Sequence, residues 1–308
     1  MSKALDYGSQ GPYACILFDS TLKVVVCNPR HEKLMIQIIE MLIPGKHIES
    51  IEFLDKEKHG LEINEKSVTF DLLCKDKKTG ESFLVELQNA KETSFLDRTL
   101  SYSTYPIREQ MEERAAEIAE GKRKNRMDYT LTPVYVLSLL NFSIGHDNDQ
   151  ALDEDGLISR YSLRNDRNGE LMTNALHFVY VEMGRLPYGP DEDGKCKTLL
   201  EMFVFSVKYM HILKKRPAGF VGEFWDLLFE ACTKAKMSLV ELQNYDKAMY
   251  TELDRIAQID YARNEGREEG EKKGREEGAS EALKKVALRM QQMGLSPEQI
   301  KEATGVEL

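Results

Sequence analysis

The sequence predicts an α/β layer sandwich followed by a helical lobe, and three observations carry that prediction. Two short runs, SVTFDLLC (67–74) and SFLVELQ (82–88), alternate in character with a period of two, and Gly80 between them supplies a turn position that tolerates positive φ. The stretch TPVYVLSLLNF (132–142) is almost continuously apolar, as expected of a strand buried on both faces. From about residue 195 to 260 the apolar spacing becomes helical. Strands in the first half with helices around them give packed layers about one core.

In chain order, RHEKLMIQIIEMLI (30–43) sets Leu34, Ile38, Met41 and Leu42 at helical spacing, and Pro44-Gly45 ends that helix. An extended stretch covers Ile48 to Leu54, ahead of the hairpin. Residues 93–119 carry a long helical pattern, rich in Glu and Arg at its far end and stopped at Gly121. After the apolar strand, GHDNDQALDEDGL (145–157) is an acidic loop. RYSLRND and LMTNALHFVYVEM then read as two strands around a turn at Asn168-Gly169. Residues 263–281 break from this pattern, with 5 basic and 7 acidic side chains, no large apolar residue, and Gly266, Gly270, Gly274 and Gly278 at every fourth place. That spacing puts the glycines on one helical stripe. It is either a solvated spacer held by pairs such as Glu268 with Lys272 or a seam where two backbones approach. The ending, ALKKVALRMQQMGLSPEQIKEATGVEL, restarts an amphipathic helix, breaks at Gly294 and caps another at Ser296-Pro297. Such a helical pair is an interaction module or, in helix-turn-helix manner, a DNA contact. The organisation expected is a core over residues 1–190, a helical lobe over 191–262, a charged Gly-spaced helix or linker over 263–281, and a small helical module over 282–308.

Composition narrows the function. With 308 residues, 42% of them hydrophobic, the chain has the apolar content to fill a core, and collagen-like or wholly disordered classes are excluded. No apolar run approaches the ~18 residues of a membrane span, and the start carries no basic-then-apolar export signal. Five widely spaced cysteines without a CxxC argue for reduced thiols in a cytosol, against a disulfide framework or a Cys-based zinc site. The six histidines are scattered without HxxxH spacing, and no GxxxxGK[ST] phosphate loop occurs. A net charge of −10 repels polyanions, so a nucleic-acid partner must be met by a local basic patch or through metal ions.

The hairpin carries the chemistry. Val68, Phe70 and Leu72 on one strand and Phe83, Val85 and Leu87 on the other form an apolar face, which turns Asp71, Glu86 and Gln88 to the opposite face. If residues 77–80 form a four-residue loop, 76 pairs with 81 and the same register sets Asp71 directly against Glu86, with Cβ atoms about 4.5–5.5 Å apart. Two carboxylates so placed repel unless a positive charge sits between them. A divalent cation is the simplest solution, and hard oxygen ligands suit Mg²⁺. Gln88 points the same way and holds a water through its amide, where a lysine would have added charge. The structural alternative is that the acids face solvent, or that Asp71 pairs with Lys23 or Arg98. Arg98 and Tyr102 share a helical face, on which Arg98 either neutralises a phosphate that Tyr102 orients or forms an ion pair with Asp71 or Glu86. Lys122, Arg123, Lys124 and Arg126 form the densest positive run, either tracking a nucleic-acid backbone or lying in a solvated loop. Lys208, Lys214, Lys215 and Arg216 read as a helix end that favours its own dipole.

FDLLCKDKKTGESFLVELQNA resembles the core of PD-(D/E)XK nucleases, and more closely the branch of Rpn-type recombination-promoting nucleases and related transposases, in which E-x-Q stands for E-x-K. FLDRTLSYSTYPIREQ (95–110) is similar to the F-x-x-R-x-x-x-Y segment after the catalytic strand there, and TPVYVLSLLNFSI, LHFVYVEM and the Gly-spaced tail look like later parts of that branch. DSTLKVVVCN (19–28) keeps Asp19 and Lys23 of the branch's first-helix pattern but lacks its two phenylalanines and its glycine. The resemblance implies a restriction-endonuclease-like α/β/α core with a mixed sheet. It also implies a metal-dependent DNA endonuclease, with Asp71 and Glu86 holding Mg²⁺ or Mn²⁺, Gln88 positioning the attacking water and Arg98 assisting charge stabilisation. Asp19, Lys23, Tyr102 and Lys91 are accessory candidates, with Lys91 or Lys75 replacing the cation that Gln88 lacks. DNA is the expected partner, with no membrane, a cytoplasmic setting and a homo-oligomer through the charged tail helix. The rival expectations are a nuclease-shaped DNA-binding or oligomerising module without turnover, and hydrolysis of RNA.

Overall fold

The computed structural model describes residues 11–25, 28–54, 71–122, 129–145 and 152–307. Six strands form one mixed sheet in the order β1-β2-β3-β4-β6-β5. They are β1 (Ile51–Phe53), β2 (Leu72–Asp76), β3 (Ser82–Gln88), β4 (Val134–Leu140), β5 (Ile158–Ser162) and β6 (Leu176–Glu182). The pairs β1/β2, β2/β3 and β5/β6 are antiparallel, while β3/β4 and β4/β6 are parallel. All seven residues of β3 and all seven of β4 are buried, as the apolar run 132–142 predicts for a central strand.

The hairpin register is the one the alternation requires. Leu72 faces Val85, Leu73 faces Leu84, Cys74 faces Phe83 and Lys75 faces Ser82. Asp76 N–H donates to Glu81 O at 2.9 Å, and Gly80, at φ +74°, closes the loop by donating to Asp76 O at 2.9 Å. The Asp76 carboxylate stiffens that turn, accepting from Lys78 N–H at 2.8 Å and from Thr79 Oγ1 at 2.9 Å. The first strand runs later than expected, continuing past Cys74 to Asp76, and residues 67–70 lie outside the described ones.

Each face of the sheet has its own cover. On one, α1 (Asp19–Val25), α2 (Glu32–Leu42), α4 (Leu199–Tyr209) and α5 (Glu223–Ala231) bury Leu22, Ile38, Phe203 and Trp225 in one cluster with Phe83, Val85 and Leu137. Each large apolar side chain buried there contributes about 1.5–3 kcal/mol. On the other face, α3 (Phe95–Ala119) sets Tyr105 against Leu73, Leu84 and Val136, and Phe95 against Leu140 and Tyr180. The result is an α/β/α arrangement with a mixed sheet. Lys208 stands in the last turn of α4, at the helix end expected of it. It is buried, its Nζ donates to Met183 O at 2.9 Å, and desolvation lowers its pKa. Arg216 pairs with Asp226 at 2.5 Å.

The chain divides into two compact units, residues 1–249 and 250–308, and the helix α6 (Leu239–Gln292) runs through the boundary. The second unit is helical. Its charged stretch, expected as helix or linker, is helix, with pairs at i,i+4 such as Lys273 with Glu277 at 3.8 Å. Beyond their own turn of helix, a Cβ on Gly266, Gly270, Gly274 or Gly278 would meet nothing within 4 Å among the described residues. Gly294 (φ +86°) breaks the helix, and Ser296 caps α7 (Pro297–Thr304) in a capping box with Gln299. Among the described residues, no helix is long and apolar enough to cross a membrane.

Candidate active site

The site grows from the end of the β2–β3 hairpin. One residue beyond the Leu72–Val85 pair, where the ladder ends, stand Asp71 and Glu86, and both are buried, 7% and 6% exposed. Asp71 Oδ2 accepts the backbone N–H of Leu87 at 2.7 Å, a buried charge-assisted bond that fixes the carboxyl where the ladder ends. Both acids lie under α3. Desolvation raises the Tyr102 pKa first of all, the Glu86 and Asp71 charges raise it further, and Arg98 opposes them.

Alternation along β3 brings Gln88 onto the Glu86 face, and the helical spacing of α3 brings Arg98 and Tyr102 over it. Arg98 Nη2 lies 3.6 Å from Glu86 Oε1 and donates to Gln88 Oε1, while Nη1 donates to Glu92 Oε2 at 2.7 Å. Gln88 Nε2 in turn donates to Ala90 O at 2.9 Å and to Glu92 Oε1 at 3.0 Å. The guanidinium lies 5.9 Å from the Phe95 and the Tyr102 ring centroids. From the other side, α1 brings Lys23 Nζ to 3.3 Å from Asp71 Oδ1. Each carboxylate therefore has a cationic side chain within 4 Å, and the ion-pair alternative for Arg98 is realised with Glu86.

The remaining candidates fall elsewhere. Lys91 is exposed in the loop before α3. Lys75, on the Asp71 face of β2, is engaged by Glu113 at 2.8 Å. Lys122 pairs with Glu120 at 2.6 Å, while Arg123, Lys124 and Arg126 lie outside the described residues. Asp19 opens α1 four residues before Lys23, and its side chain is outside the described ones.

Two contributors were not singled out from sequence. Glu92 ties Gln88 to Arg98, and its four-residue spacing from Gln88 carries no periodic signal in a loop. Ser138 of β4 is the in-register neighbour of Glu86, fully buried, and its Oγ has no hydrogen-bond partner among the described residues. A parallel register leaves no loop arithmetic by which sequence would have revealed it.

The donor chemistry fits a hard divalent cation that keeps several waters: two buried carboxylates on adjacent strands, with an amide beside them. Among the described residues, no three His, Cys, Asp or Glu side chains come together as a ligand group, so water and substrate oxygens would complete the shell. In comparisons with known proteins, the sequence model described as PD-(D/E)XK nuclease family transposase matches residues 17–262, about four-fifths of the chain. No curated protein and no solved structure is significantly similar to it.

Proposed function

The chain belongs to the PD-(D/E)XK nuclease family transposases, and on that premise we propose that it is a metal-dependent endonuclease that hydrolyses DNA phosphodiesters in recombination or transposition. The observation that carries this reading is the two buried carboxylates, Asp71 and Glu86, at the end of one hairpin. These two side chains would hold Mg²⁺ or Mn²⁺. Such an ion, when bound, lowers the pKa of a coordinated water and offsets charge developing on the phosphate. Gln88, a neutral group whose amide nitrogen is taken by Ala90 O and Glu92, would hold the attacking water through the second lone pair of Oε1, the first being taken by Arg98. Arg98, anchored by Gln88 and Glu92, offers its guanidinium to the phosphate oxygens, where a preorganised cation is worth most. Tyr102, its hydroxyl kept protonated by burial, remains a hydrogen-bond donor over that site. The cysteines Cys15, Cys74, Cys196 and Cys232 are buried as thiols rather than cross-linked, which supports a reducing, cytoplasmic setting.

Supercoiled plasmid incubated with the protein and Mg²⁺, Mn²⁺ or EDTA tests the proposal. Nicking with metal that disappears in Asp71→Ala and Glu86→Ala is the expected result, and nicking that persists in EDTA or in these variants rejects it. One observation favours a second reading. Both acids already have a basic neighbour, and Gln88 stands where a lysine would add charge, an arrangement compatible with a DNA-binding module without turnover. DNA retention without nicking under every metal selects that reading, and cleavage of RNA but not plasmid selects an RNA substrate.

A further inference from the structure

The β4 sequence VYVLSLL is built of large apolar side chains except at Ser138. Ser138 is fully buried, and its Oγ has no hydrogen-bond partner among the described residues. A buried hydroxyl left in that state costs the folded chain free energy that an alanine would not, so its presence asks for a reason. The neighbouring strands supply one. In register, Ser138 has Glu86 of β3 on one side and Tyr180 of β6 on the other. Alternation from the Leu84–Val136 pair, which packs against Tyr105, turns Glu86 and Ser138 to the same face beneath α3. The Tyr180 hydroxyl, at the far end of its ring, is bonded to Thr99 Oγ1 at 2.8 Å. Glu86 is therefore the acceptor beside Ser138. Adjacent strands run about 4.8 Å apart, so a serine hydroxyl reaches a neighbouring carboxylate by one turn about χ1. A carboxylate accepts at about four lone-pair positions, which leaves room for a hydroxyl in addition to the partners Glu86 already has and an ion.

We infer that Ser138 is a positioning residue of the metal centre: it donates its hydroxyl proton to the Glu86 carboxylate and holds it in the orientation that binds the cation. The inference rests on the metal-dependent reading above and deepens it by one residue. Carboxylates that ligate metals are themselves hydrogen-bonded, and loss of such an outer partner typically costs about 10–100-fold in metal affinity. Ser138 touches neither the ion nor the substrate and acts through Glu86. The hydroxyl is thus kept in the core at the expense of the metal-free fold, a trade of stability for function. Its two effects have opposite signs, and that separates positioning from packing.

The test is Mn²⁺ binding to the full chain, followed by the electron paramagnetic resonance of free Mn²⁺, beside urea denaturation of the metal-free protein. Ser138→Ala is expected to bind Mn²⁺ about tenfold more weakly than wild type, while its metal-free fold is at least as stable as the wild-type one. Ser138→Thr, which returns a hydroxyl to the strand, should recover the wild-type affinity. An unchanged Mn²⁺ affinity in Ser138→Ala overturns the inference and leaves the nuclease reading intact. So does a weaker metal-free fold in Ser138→Ala, because the hydroxyl would then be a packing element. A Ser138→Thr protein as stable as wild type that binds Mn²⁺ only as Ser138→Ala does overturns it as well. If Glu86→Gln binds Mn²⁺ as wild type does, the metal-dependent reading itself falls and the inference with it.

Discussion

Asp71 has two separable duties, and substitutions can split them. Its carboxylate closes the hairpin by accepting Leu87 N–H at 2.7 Å, and its charge meets Lys23 at 3.3 Å and shares the hairpin end with that of Glu86. Asp71→Asn keeps an acceptor for Leu87 and removes the charge. At an effective dielectric of about 20, losing repulsion from a carboxylate ~5 Å away gains about 3 kcal/mol, and losing the Lys23 attraction costs about 5 kcal/mol before screening. Because Lys23 is a third exposed, solvent cuts the second figure substantially, and the two offset to within about 1 kcal/mol. Asp71→Ala has the same charge effect but strands the buried Leu87 N–H, which adds about 1–3 kcal/mol of destabilisation. Urea denaturation should therefore rank wild type and Asp71→Asn together with Asp71→Ala below, while plasmid nicking is absent from both variants. Equal destabilisation by Asn and Ala would show that the Leu87 bond does not hold the hairpin end. Nicking by Asp71→Asn would remove the acid from the metal site.

Three further outcomes are expected. Mg²⁺ or Mn²⁺ at about a hundred times its dissociation constant should stabilise the wild-type protein by about 2.7 kcal/mol in thermal denaturation, and Glu86→Gln should abolish the shift; an equal shift in the variant would place the ion elsewhere. Burial pushes the Tyr180 hydroxyl up to about 12, with the Thr99 bond at 2.8 Å opposing it. The unfolded phenol ionises near 10, so this contribution is complete below pH 10 and is lost as pH rises through 12, by about 2–3 kcal/mol. Tyr180→Phe, weaker by about 1 kcal/mol at pH 8 for want of that bond, should draw level with wild type near pH 11 and exceed it by about 1 kcal/mol at pH 12 in denaturant titrations; a constant gap rejects the assignment. The tail is proposed as an oligomerising element, so truncation after residue 262 should lower the oligomer number measured by light scattering, and an unchanged number rejects the seam.

Much of this was legible in the sequence because the hairpin is self-specifying. Alternation fixed which residues face α3, and a loop of set length fixed their partners, so the Leu72–Val85 pairing follows from counting. The helices α2 and α3 were legible from apolar spacing and from their breakers at Pro44 and Gly121, and the α7 cap from Ser296-Pro297. The contacts made by long polar side chains were not. Gln88 was expected to hold only a water, yet it is tied to Ala90, Glu92 and Arg98, a choice among rotamers that periodicity does not encode. The burial of Lys208 was hidden for a different reason. A lysine in a last helical turn reads as solvent-facing unless the carbonyl it will meet, Met183 O, is already known to sit there.

The two acids are neighbours on a single hairpin, whereas Lys23 and Arg98 arrive on separate helices. Closing a hairpin costs little chain entropy and uses contacts that form early, so the anionic half of the centre is encoded locally and matures before the layers dock. The cationic half depends on the final docking of α1 and α3. Descendants of such a chain are thus at liberty to move, swap or delete the basic groups on the outer helices while inheriting the carboxylate pair unaltered. Tuning of this kind changes when the centre is armed without rebuilding what it is made of.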